Sequence, residues 1–109
     1  MTSRSEALVP TDRPARYGKQ LVAHLGRRNG GEWSDLDGRG FIVLAAGQAQ
    51  LSCAADGLQL LVEGEPEDLP RMEEVLGRHL VKFGTRDELV VVWSRASGDP
   101  GTEQRNTGE

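Results

Sequence analysis

At 109 residues the chain has room for one domain, and 37% apolar with 28% charged residues excludes disorder along its whole length. A net charge of −4 argues against a dedicated nucleic-acid binder, which carries a basic excess over a whole face. The single cysteine, Cys53, excludes an internal disulfide framework and a thiolate zinc cluster, and with no signal-peptide pattern and no apolar run near the ~20 residues of a membrane span it points to a soluble, cytoplasmic protein.

Glu6 to Val9 reads as a first strand, ended by Pro10. Thr11 is placed as the N-cap of a helix that tolerates Pro14 in its first turn, where the N–H groups have no intrahelical partner. Tyr17, Leu21 and Leu25 follow at i, i+4 and i+8, with His24 and Arg28 flanking this apolar stripe and Asn29-Gly30-Gly31 ending the helix. A meander comes next. Its predicted strands, 32–36, 39–44, 49–54 and 58–63, are separated by Asp37-Gly38, Ala46-Gly47 and Asp56-Gly57, the two Asp-Gly pairs supplying the positive φ of tight hairpin turns. Cys53, between Ser52 and Ala54 in such a strand, reads as a small buried hydrophobe, since nothing local activates its thiol.

Glu65-Pro66-Glu67-Asp68 opens a second helix, with its acids at the positive end of the dipole and Pro70 in the first turn. Leu69, Met72, Leu76, Leu80 and Phe83 make its stripe, Val75 and His79 stand at the edge, and Gly84 caps it. Leu89 to Trp93 is almost wholly apolar, the pattern of a central strand with little exposure. Residues 95–109 hold no periodic apolar residue and read as a disordered polar tail beyond a single domain over 1–94. The order β-α-β-β-β-β-α-β predicts an α+β fold: a two-layer sandwich with a mainly antiparallel sheet of five or six strands and both helices on one face.

Several stretches together resemble a bacterial family catalogued as domain of unknown function 2218. They are 11–17 (TDRPARY), Lys19-Gln20-Leu21 with His24, Asp56-Gly57-Leu58, and 72–80 (MEEVLGRHL) followed by Phe83-Gly84, Arg86 and Glu88-Leu89. The resemblance covers the first 94 residues, in the same order. It implies association with siderophore-interacting flavin reductases, beside which such domains are often encoded or to which they are fused, and so a place in iron handling; it implies no mechanism.

Three sets of polar residues carry the chemistry. His24 and His79 border the two apolar stripes; if the helices lie side by side the rings converge, as metal ligands or proton carriers, or else each is a half-buried helix-edge histidine bonded to backbone. Two histidines lack the third protein ligand of a structural or catalytic zinc site. Arg13, Arg16, Lys19 and Arg27 give the first helix a basic face, suited to an acidic partner or simply solvated. Trp33 and Trp93 read as packing residues, with a ligand platform as the other reading. Gly38-Arg39-Gly40 lacks the third glycine and the following helix of a dinucleotide loop.

The leading expectation is a non-catalytic accessory or binding module in bacterial iron and siderophore use, without a cofactor. It would bind a siderophore-interacting flavin reductase or the ferric siderophore, through His24, His79, Arg28 and Arg86 and the flanking Arg13 and Arg16; neither nucleic acid nor membrane is an expected partner. Two alternatives stand beside it: a small metal-dependent or acid–base enzyme using His24 and His79, and a homodimer pairing through a sheet edge.

Overall fold

A computed structural model describes residues 2–83 and 89–105, with only the backbone of 28 and 29. The chain runs β1 (Ser3–Pro10), α1 (Pro14–Asn29), β2 (Gly31–Ser34), β3 (Arg39–Leu44), β4 (Gly47–Ala54), β5 (Gly57–Gly64), a 3-10 turn (Pro66–Asp68), α2 (Leu69–Phe83), β6 (Val90–Arg95) and β7 (Pro100–Arg105). The fold is α+β. Its seven strands form one antiparallel sheet in the order β2-β3-β4-β5-β1-β6-β7, one strand more than the upper expected count.

The meander β2–β5 is built from neighbours in sequence, but β1 enters between β5 and β6 and pairs with β5 over its whole length, Ser3 opposite Gly64 to Pro10 opposite Gly57. Alternation along the strands separates two kinds of residue. Ser5, Ala7 and Val9 of β1, Ala49 and Leu51 of β4, Leu58, Leu60 and Val62 of β5, and Val91 and Trp93 of β6 are buried. They share one core with Tyr17, Leu21 and Val22 of α1 and Leu69, Met72, Leu76 and Leu80 of α2. Their strand neighbours Leu8, Phe41, Val43 and Val92 are exposed. A strand buried on one face reads as alternation. This corrects the expectation for β6, where Val92 is 53% exposed although the strand lies between β1 and β7.

The helix boundaries follow local chemistry. Pro14 is the first residue of α1, and the Gly30 N–H donates to the Gly26 carbonyl at 2.8 Å where the helix stops, with Gly30 at φ 110°. Thr11, expected as the N-cap, sits two residues too early: its hydroxyl accepts the Arg13 N–H at 3.0 Å and shapes the turn before the helix. Pro70 is the second residue of α2, as expected; the Gly84 cap lies outside the described residues. Of the two Asp-Gly glycines, Gly38 adopts the positive φ expected, at 65°, whereas Gly57 is the first residue of β5, as Gly47 is of β4. Among the described residues no helix is long and apolar enough to cross a membrane.

The largest departure is at the C-terminus. Residues 95–109 were expected to be disordered, yet Arg95 ends β6, a turn over 96–99 reverses the chain, and β7 pairs with β6 from Arg105 opposite Val90 to Pro100 opposite Ser94; 106–109 lie outside the described residues. No apolar side chain drives this. Gln104, 6% exposed, accepts the Trp93 Nε1–H through Oε1 at 2.7 Å and packs against Gly77 of α2. A Cβ at Gly77 would collide with the Gln104 side-chain oxygen. Gly77→Ala, a change worth about 1 kcal/mol in favour of an isolated helix, is therefore expected to destabilise this protein, since overpacking costs about 1–3 kcal/mol. A lower urea midpoint would bear this out, and a higher one would show that Gln104 moves aside freely.

Candidate functional site

His24 faces outward from the third turn of α1 and His79 is half-buried on α2, and the fold brings them together. Their ring centroids are 4.9 Å apart with planes tilted by 45°. The edge of Phe83 closes on His24 at 5.5 Å and 84°, orienting that ring. His79 Nδ1 lies 2.7 Å from the Val75 carbonyl oxygen, one turn back on its own helix. A carbonyl can only accept, so Nδ1 carries the hydrogen, and the neutral form of the ring has its lone pair at Nε2. The pair can therefore hold a proton or donate to a metal. Among the described residues no group of three or more metal-ligating side chains exists.

The arginines do not join this seam as a group. Arg16 is exposed on α1 eight residues before His24, roughly 12 Å along the axis at 1.5 Å per residue, and Arg13 precedes the helix. Neither side chain makes a hydrogen bond or ion pair among the described residues, while Lys19 reaches Asp35 at 3.4 Å. The side chain of Arg28 and all of Arg86 lie outside the described residues.

Cys53 is exposed at the far end of β4, its N–H donating to the Gly38 carbonyl at 2.8 Å, which corrects the expected burial: the strand runs on past the core. What burial the thiol has pushes its pKa up, so it stays protonated at neutral pH and is a poor nucleophile. Both tryptophans pack and hydrogen-bond: Trp93 as above, and half-buried Trp33 against the core with its Nε1–H donating to Asp35 Oδ1 at 3.0 Å.

Two features escaped the sequence reading. Glu73 of α2 is fully buried. Its Oε2 accepts from Ser5 Oγ at 2.5 Å and Arg95 Nε at 3.1 Å, and its Oε1 from the terminal guanidinium nitrogen of Arg95 at 3.1 Å and from Thr102 N and Oγ1 at 3.0 and 2.9 Å. Burial alone would push this carboxyl up; the bonds from Arg95, Ser5 and Thr102 outweigh it and hold the pKa below the ordinary value. With its lone pairs occupied, Glu73 is a structural anchor rather than a free acid or base. Its place between Leu69, Met72 and Leu76 was the available signal, because a charge inside an apolar stripe must be paired.

The second is a groove of about 1050 Å³ over the exposed side of the meander. Across it runs one cross-strand row, Glu32, Phe41, Gln50, Leu61 and Glu6, on β2, β3, β4, β5 and β1. Trp33, whose other reading was a ligand platform, is among the residues lining it, whereas His24, His79, Arg13 and Arg16 are not.

The architecture and the seam define a small α+β domain with paired imidazoles between two helices. Residues 6–94 match the family of uncharacterised proteins conserved in bacteria, domain of unknown function 2218, and the chain belongs to that family. No curated protein and no solved structure matches it.

Proposed function

We propose that this domain is a non-catalytic accessory module of bacterial iron use that binds a siderophore-reducing flavoprotein, or the ferric siderophore itself, at the seam carrying His24 and His79. In this reading the helices form one layer across the sheet and present the histidine pair outward. The 4.9 Å approach of the two rings carries the proposal. Two imidazoles and the Phe83 edge make a compact polar and aromatic patch, the composition of an interface centre. Without a third metal-ligating side chain among the described residues, the patch suits binding rather than metal-assisted hydrolysis. The iron setting comes from the neighbourhood of the family.

Pull-down with the reductase and calorimetric titration with ferric siderophore test this. One of the two is expected to bind, and His24→Ala to weaken that binding by roughly tenfold or more, the loss expected of a central interface contact. Silence from both at high concentration removes the proposal. A second reading, a homodimer through the open face of the sheet instead of through the edge expected from sequence, is favoured by the exposed Leu8, Phe41, Val43 and Val92 on the interior strands β1, β3 and β6; light scattering that shows a monomer at every concentration excludes it.

A further inference from the structure

The geometry points to a two-nitrogen site for a borderline divalent transition ion, copper(II) foremost, made by His24 and His79 between α1 and α2. The inference rests on the seam assigned above to partner binding and names its chemistry.

Its first support is orientation. His79 donates Nδ1–H to the Val75 carbonyl at 2.7 Å, the arrangement by which a ligating histidine commonly has its other nitrogen fixed and its tautomer set. Nε2 is left as a donor on a half-buried ring. His24 lies 4.9 Å away, centroid to centroid, with Phe83 against it at 5.5 Å. Metal–nitrogen bonds of about 2.0–2.1 Å place two ligating nitrogens about 3 Å apart. A centroid separation of 4.9 Å is compatible with that spacing once the exposed His24 ring turns on its side-chain torsions.

The second support is donor type. Imidazole favours copper, nickel and zinc, whereas magnesium and calcium require oxygen donors. A two-histidine site leaves the remaining coordination positions to water, or to a ligand carried by whatever docks on the seam.

The test titrates metal-free full-length protein with Cu²⁺, Ni²⁺, Zn²⁺ and Mg²⁺ by calorimetry, and follows the imidazole resonances by NMR with diamagnetic Zn²⁺. One ion per chain is expected, with Cu²⁺ tightest, Mg²⁺ silent and both histidines shifted together. Either histidine replaced by alanine removes the intramolecular second bond and should cost roughly 100-fold in affinity. His24 is exposed, so H24A keeps the fold and carries the test even where H79A loosens α2. Copper affinity unchanged in H24A, one ion per two chains, or no saturable binding overturns the site. Reductase or siderophore binding that persists in chelator, with the metal titration silent, overturns the metal site alone; metal binding by a protein silent toward both partners leaves the site and removes the docking reading.

Discussion

Replacing Glu73 by glutamine is expected to cost about 3 kcal/mol of folding stability, the lower end of the range for a buried ion pair broken at one partner. The low end applies because Arg95 keeps 20% of its side chain exposed while Glu73 keeps none. For a domain of this size each kcal/mol is worth about 4–8 °C, so the melting temperature should fall by roughly 12–24 °C. Glutamine preserves the volume, but its amide nitrogen meets donors from Arg95, Ser5 or Thr102 where a carboxylate oxygen accepted them. The same group sets an acid limit. Its folded pKa is depressed, so its contribution is complete above the unfolded value of about 4.3 and is lost as pH falls through the folded one. Wild-type protein should therefore lose stability in acid along a steeper course than E73Q, and chemical denaturation from pH 7 to 3 would show it. Parallel curves would mean that Glu73 is not the anchor described.

Ending the chain after Asp99 is expected to be at least as damaging. The truncation removes both Thr102 donors from Glu73 and the Gln104 acceptor from Trp93, and each buried polar group left unpartnered costs about 1–3 kcal/mol. It also uncovers Trp93, which is 2% exposed in the intact sheet. A melting temperature lower by about 12 °C or more, with red-shifted tryptophan emission, is the expected outcome. An unchanged melting curve would return residues 100–109 to the status of a dispensable tail.

That truncation marks where reading the chain from its residues stops working. Both helices were legible because Tyr17-Leu21-Leu25 and Leu69-Met72-Leu76-Leu80 repeat at helical spacing, and a stripe must be buried wherever the helix docks. The meander was legible from its alternation and its turns. β7 was not, because Pro100 to Arg105 carries no alternating apolar set. Its strand character comes from pairing with β6 and from hydrogen bonds to Glu73 and Trp93, residues 29 and 11 positions away from Thr102 and Gln104. The exposure of Val92 and Cys53 was hidden for a related reason: an apolar residue in a strand reveals nothing about whether a layer lies over it.

The candidate site divides the same way. Histidines at the edges of two stripes were visible as residues, and their spacing of 55 positions was silent on whether they meet. By itself the sequence determined the two amphipathic helices, the strands of the meander and the family, since periodicity and local turn chemistry act within a few residues. The tertiary structure alone decided the strand order, the buried Glu73 network that holds β7 and the contact between His24 and His79. Each of these depends on groups far apart in the chain, brought together only when the common core is buried.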